Sequence, residues 1–288
     1  ADKIDALAWA LRSPSGAFLS RRLAEKRGLA RFHGETGIFY FLYTRHLTVD
    51  PAPPPLAILA GGKGGGHVLM RSDWSDGATV VGFRCTDYFG QHNHLDQGSF
   101  FIYRNGWLAL DAGTYRRVGG DQARTDAHST ILLGGEGQRR ESYQSAATLE
   151  EFTRRLPRGL ETGDLPFFRH AGAWTAAAGE FAQAYAGGTI RSCVRQILFV
   201  RPGTLVVVDR LAAPEGAPLP EVRWLLQVPA RPQVDGGTVT ALSAASYLRC
   251  RSLVPGAPAP TVEDSYRTPA GPTSSGGNPA SIDASRVV

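Results

Sequence analysis

Lysine is nearly absent from this chain of 288 residues: Lys3, Lys26 and Lys63 are the only three among 31 basic residues. Its positive charge is therefore carried almost wholly by arginine, whose planar fork suits carboxylate and sulfate groups, although a genomic base bias produces the same usage. Cysteine is equally scarce. Cys85, Cys193 and Cys250 show no C-x-x-C spacing and cannot all pair within one chain, which excludes a disulfide framework or a cysteine-based zinc site and predicts core thiols. No apolar run approaches the roughly 18 residues of a membrane-spanning helix; the richest, Gly37 to Tyr43 and Ile197 to Asp209, are too short. The glycine run Gly61 to Gly66 is not followed by the Lys-Ser/Thr pair of a phosphate loop. With 42% hydrophobic and 20% charged residues the chain is neither a disordered polyelectrolyte nor a membrane protein, and it can bury a core. It begins on Ala1 rather than Met, and a processed or truncated product is expected.

What the chain has in quantity is glycine (34), proline (19) and short Val/Leu/Phe/Thr runs between them, an all-β pattern with frequent turns. The expected fold is mainly β, a two-layer antiparallel β-sandwich preceded by a short helical segment. Residues 1–50 form that segment: Ile4 to Arg12 and Gly16 to Arg27 have helical spacing about a break at Ser13, Pro14 and Ser15, with Gly37 to His46 as a third short helix. Residues 51–66 read as a flexible Pro/Gly linker, 67–255 as the sandwich and 256–288 as an extended or disordered tail unless it lies on the sandwich surface. Hairpins are expected around Ser75-Asp76-Gly77, Asn105-Gly106 and Pro202-Gly203. Trp74, Trp107, Trp174 and Trp224 read as core rather than as sugar platforms, and Asp209 with Arg210 as an ion pair or turn.

The densest chemical signal is Phe89 to Phe100, FGQHNHLDQGSF. His92 and His94 share a face if the chain is extended, which presents two imidazoles to one metal or one substrate. With Asp111 after the next strand and His128 opening the one after it, His94, Asp111 and His128 supply the ligand types of a His/Asp/His zinc site. Surface or hydrogen-bonded histidines without metal satisfy the spacing as well. A straight strand would put His94 roughly 20 Å from Asp111, so Gly98 must bend the chain or residues 92–96 must fold back. Other metal sites fit less well. Gln97 stands where the metallo-β-lactamase pattern needs His, no Glu follows within reach as in cupins, and the chain lacks the alternating helices of an amidohydrolase barrel.

These residues resemble the heparinase II/III-like polysaccharide lyases. The resemblance is carried by His92-Asn93-His94-Leu95-Asp96-Gln97-Gly98-Ser99-Phe100, by Gly106 to Tyr115 (GWLALDAGTY) and by Ala127-His128-Ser129-Thr130. Arg71 to Trp74 and Leu205 to Arg210 support it, and it covers roughly residues 67–255. It implies a β-sandwich that follows an α/α toroid, with residues 1–50 as the toroid's remnant, and a structural zinc on His94, Asp111 and His128. It further implies that His92 faces the substrate cleft as a catalytic residue. The reaction it implies is β-elimination on an acidic, uronate-containing polysaccharide such as a glycosaminoglycan or alginate, in the bacterial periplasm or outside the cell. The family's essential tyrosine belongs to the toroid; Tyr88 and Tyr115 do not take its place and read as packed residues.

Asp96 reads as an outer hydrogen-bond acceptor that fixes a histidine tautomer. Arg116 and Arg124, among Arg117, Arg139 and Arg140, are candidates for binding substrate carboxylates or sulfates by forked hydrogen bonds. The net charge of +5 and pI near 9.3 suit a polyanionic partner. The competing reading is a non-catalytic, zinc-stabilised module that binds acidic polysaccharide. No nucleic-acid motif accompanies the charge, so neither nucleic acid nor membrane is expected as a partner, and a homodimer is left open.

Overall fold

The computed structural model describes residues 2–27, 49–61, 66–87, 93–112, 123–139, 150, 154, 161–243, 245–253, 260–263 and 285–287. The chain divides into two compact units, residues 1–56 and 57–288.

In the first unit, α1 (Asp2–Ala10) and α2 (Pro14–Arg27) form a helical hairpin. Ser13 caps α2 by accepting the Gly16 amide at 3.1 Å, and Pro14 takes the first helical position, where a missing N–H costs nothing. A Cβ on Gly16 would lie 2.8 Å from the Ala8 Cβ, so the helices touch there, around the buried Ala8 and Ala17. Leu7, Trp9 and Leu11 remain exposed. The third helix expected over 37–46 lies outside the described residues.

The second unit is a two-layer antiparallel β-sandwich. One sheet runs in order β1 (Ala57–Ala60), β2 (His67–Arg71), β3 (Val80–Arg84), β4 (Phe100–Tyr103), β5 (Trp107–Ala109). After β6 (Ile131–Leu133), the opposing sheet is built from β7 (Asp164–Ala171), β8 (Trp174–Glu180), β9 (Ser192–Val200) and β10 (Thr204–Ala212), each paired to the next. Alternation places Val68 and Met70 of β2 and Cys193, Ile197 and Phe199 of β9 inward, and these meet Val81, Phe83, Phe100 and Ile102 in one core. Smaller ladders complete the unit: β11 (Val222–Trp224) with β6; β12 (Leu226–Val228) with β17 (Ser285–Val287), which also takes β16 (Val262–Glu263); and β13 (Gln233–Asp235), β14 (Thr238–Ser243) and β15 (Ser246–Arg251).

Several expectations need correction. The segment read as a linker contains β1, which pairs with β2 from Ala57↔Met70 to Ala60↔His67; the tail, read as extended or disordered unless it lies on the sandwich, contributes the short strands β16 and β17. The hairpin β7–β8, turning at Gly172 with φ +52°, was not foreseen. The hairpin expected at Asn105-Gly106 is present, and β4 passes to β5 through a three-residue loop, Arg104 to Gly106, followed by a bulge. Of the four tryptophans, Trp224 packs against the core, whereas Trp107 is exposed. Asp209 pairs with Arg195 across the β9–β10 ladder instead of with its neighbour Arg210. All three cysteines are free, and Cys85 and Cys193 are buried, as expected.

Candidate metal centre

The loop entering β4 carries His94 and Asp96, and its shape follows from Gly98. The Ser99 amide donates to the Asp96 carbonyl at 3.0 Å, closing a tight turn whose third residue is Gly98 at φ +75°, a conformation that disfavours a side chain. Space demands glycine too, since a Cβ there would lie 2.4 Å from the Phe181 ring. The Gly98 amide donates to Arg84 O at 2.9 Å, and the turned-back loop is held by the Leu95 amide on Ala123 O at 2.8 Å. The bend demanded by the straight-strand distance is therefore present, and it brings His94 to within 5.2 Å, ring centre to ring centre, of His128.

His128 follows a short 3-10 turn, Thr125–Ala127, and is completely buried. Its Nδ1 lies 2.9 Å from an Asp111 carboxylate oxygen, but not in the direction a hydrogen bond requires, and neither ring nitrogen has a hydrogen-bond partner. Asp111 sits past the end of β5, its side chain 53% exposed, between the Leu110 amide on Gln227 O and the Ala112 amide on Ala127 O. Asp96 is buried. One of its oxygens meets Arg84 Nη1 at 3.1 Å, and the other has no hydrogen-bond partner.

The ligand atoms of His94, Asp96 and His128 all lie within 4.8 Å of one another. Among the described residues the carboxylate that joins the two histidines at this spacing is thus Asp96, while Asp111 touches His128 from the solvent side. A buried imidazole with both nitrogens unpaired is costly, as is an unpaired carboxylate oxygen. A cation that takes nitrogen and oxygen ligands would engage one His128 nitrogen, a His94 nitrogen and the free Asp96 oxygen together, leaving the other His128 nitrogen to a neighbour such as Asp111, so the residues present fit zinc.

The electrostatics are those of a coupled cluster. Burial raises the Asp96 carboxyl, and the charges of Arg84 and His128 only partly oppose it. Although its side chain is partly exposed, the loss of solvent around Asp111 would raise it, but its contact with His128 and the charges of His128, His94 and Arg84 outweigh that and hold it below the usual carboxylate value. Burial alone would lower His128, yet the Asp111 contact and the charges of Asp111 and Asp96 leave it above its ordinary 6.5.

Two supports of this site were not foreseen. Arg195, fully buried on β9, forks onto Asp209 at 2.8 and 2.9 Å, and its remaining nitrogen, Nη1, donates to Gly98 O at 2.7 Å and Ser129 O at 3.0 Å. It ties the β4 turn to the residue after His128. Gln97 and Gln138 exchange bonds: the Gln97 amide donates to Gln138 Oε1 at 2.9 Å and Gln138 Nε2 to Gln97 O at 2.8 Å. Thr130 Oγ1 adds a third at 2.7 Å on Gln97 O. The readable signal was Arg195 and Asp209 on the apolar phase of two alternating strands.

The other site expectations divide. His92 and Arg116 lie outside the described residues, as do Arg117, Arg140, Tyr88 and Tyr115. Arg124 is 63% exposed near the cluster, with its fork on Asp126 at 3.1 and 3.3 Å. Arg139 is spent on the carbonyls of Gln183 and Glu161, a structural role.

A sequence profile of the family described as Heparinase II/III-like, C-terminal, matches residues 53–271. The chain belongs to this family. Its match extends past the limits of 67–255 read from the motifs and takes in β1 and β16. Among solved structures, the heparinase II/III-like chain is similar to the heparan sulfate lyase HepC of Pedobacter heparinus, with a TM-score of 0.61 and 16% identity over 94% of this chain and 39% of that one. It is also similar to a heparinase III, at a TM-score of 0.57 and 17% identity over 85% of this chain and 36% of that one. These likenesses bear on the fold, and the chain spans about two fifths of those proteins. No curated protein matches it.

Proposed function

We propose that this chain is the β-sandwich part of a polysaccharide lyase that cleaves an acidic, uronate-containing polysaccharide by β-elimination, and that it holds a structural zinc. The observation that carries the reading is the convergence of His94, Asp96 and His128 at ligand distance, with Asp111 against His128, inside a chain of the heparinase II/III-like family. His94, His128 and a carboxylate from Asp96 or Asp111 would hold the ion. Its contribution there is a fixed positive charge and a cross-link between the β4 turn and the strand after His128.

β-Elimination needs a positive or hydrogen-bonding partner for the uronate carboxylate, a base for the weakly acidic C5 proton and an acid for the leaving glycosidic oxygen. His92, two residues before His94, is the residue assigned to the substrate side; as an imidazole it can move a proton or, when protonated, neutralise the carboxylate. The remaining acid–base groups belong to the toroid in the family's pattern. The exposed Leu7 and Trp9 of α1, with Leu11 just after it, support the reading that the helical hairpin packs against further helices of that kind. Arg124, once released from Asp126, has the geometry to fork onto a carboxylate or sulfate. A periplasmic or extracellular location in a bacterium accords with such a polymer substrate, and no helix among the described residues is long and apolar enough to cross a membrane.

The test is incubation of the chain, joined to the toroid helices that carry the family's tyrosine, with heparin, heparan sulfate and alginate, following the ultraviolet absorbance of the unsaturated uronate that elimination creates. Growth of absorbance that falls away in His92→Ala supports the lyase reading. Binding of polymer with no absorbance favours the second reading, a zinc-stabilised binding module.

A further inference from the structure

The outer face of the β13–β15 sheet carries a feature the metal centre does not use. β15 alternates so that Leu248 and Cys250 turn to the core while Tyr247, Arg249 and Arg251 all point outward and are exposed. Tyr247 is 68% exposed and Leu242, opposite it on β14, 60%. Together with Ser243, Ala245 and Ser246 they line an open depression of about 470 Å³ at the hairpin tip. In register beside the two arginines stand Thr240 and Thr238, then Gln233 and Asp235 of β13. Asp235 is the one acid on this face among the described residues. It sits two strands from Arg251, about 10 Å away at ordinary strand spacing, and no ion pair among the described residues engages Arg249 or Arg251.

We infer that this face is a binding strip for an acidic polysaccharide, separate from the metal centre, with Tyr247 stacking on a sugar ring and Arg249 and Arg251 forking onto carboxylate or sulfate groups. The two arginines are about 7 Å apart along the strand, so they address successive anionic groups of an extended chain instead of competing for one. Tyrosine offers a large rigid face with little rotamer entropy to lose and a hydroxyl for the sugar's own hydroxyls. Arginines also discourage edge-to-edge pairing of strands, but that task needs no exposed tyrosine in line with them. The class of ligand rests on the proposed lyase reading; the composition of the strip does not. Single-stranded nucleic acid uses the same pair of residue types, so it is an outcome of the test.

The test measures binding of a heparin-derived hexasaccharide to the whole chain as a function of salt, for wild type, Tyr247→Ala, the double variant Arg249→Gln/Arg251→Gln, and the charge-matched control Arg104→Gln/Arg210→Gln. All of these side chains are exposed, so the fold is retained. Wild-type binding should weaken about tenfold or more in the double arginine variant, with the slope of log affinity against log salt reduced by about two. Tyr247→Ala should weaken it several-fold without changing that slope, and the control should stay near wild type. Equal losses in the control and the strip variant, or no binding by wild type, overturn the strip. A single-stranded oligonucleotide of equal charge that competes as well as the hexasaccharide overturns the choice of polysaccharide. Failure of the lyase reading is a different result: no unsaturated product, with the strip-dependent binding intact.

Discussion

His128 is a fully buried imidazole whose two nitrogens have no hydrogen-bond partner, and its protonation without metal has a defined sign. Its folded pKa is raised, so its contribution to stability is complete below the unfolded value of 6.5 and is lost as pH rises through the folded value. Asp96, also raised, acts in the same direction, while His67, lowered by burial and Arg84, acts in the opposite direction over a window that closes as pH rises through its unfolded 6.5. Metal binding has the opposite sign, because protons compete for the same nitrogens. In chelator, the melting temperature should therefore fall as pH rises above 6.5, whereas with zinc it should hold or rise; parallel profiles would contradict a metal on His128. The roles of the two carboxylates are separable in the same way. Asp96→Asn and Asp111→Asn should each weaken zinc binding by at least about tenfold in a competition with a chromophoric chelator. Unchanged affinity in Asp96→Asn would leave Asp96 only as the partner of Arg84.

At the scale of elements, Arg195 is the brace on which the site depends. Arg195 is fully buried and Asp209 largely so, and removing one partner of a buried pair leaves the other charge stranded, at a cost of about 3–5 kcal/mol. Arg195→Met should lose that much in urea denaturation and also weaken zinc binding, since Gly98 and Ser129 lose their common donor. Arg195→Met/Asp209→Leu should recover most of the stability but not the zinc affinity. Recovery of both would show that the brace does not position the loops. The strands that carry Arg195 and Asp209 were legible as long Val/Leu/Ile/Phe-rich runs on either side of the Pro202-Gly203 turn, and their register follows from that turn. β7 and β8 were not: Pro166 interrupts the first, where the ladder bulges between Asp164 and Phe167, and alanines fill the second, giving weak strand preference. β1, β16 and β17 are two to four residues long and exist through their partners, which no local pattern reveals. The same limit applies to the site. His94, Asp111 and His128 were readable as ligand types, but the turn at Gly98 decides that Asp96 comes to ligand distance. The two-residue spacing of His94 and Asp96 was the available hint.

On the scale of the whole molecule, the sandwich presents a buried His/Asp cluster on one part of its surface and an arginine–tyrosine strip on another. A lyase that holds a long acidic polymer would use both, the first to keep the loops that carry His94 and His128 in place and the second to retain the chain between cleavages. The metal is the element on which the strands, the site and the proposed chemistry all depend, and it is tested by the zinc content of the purified chain beside His94→Ala, with melting temperatures for both. About one zinc per chain in wild type, lost in the variant together with thermal stability, is the predicted result. Absence of zinc in wild type, or equal zinc and equal melting temperature in the two, would contradict it.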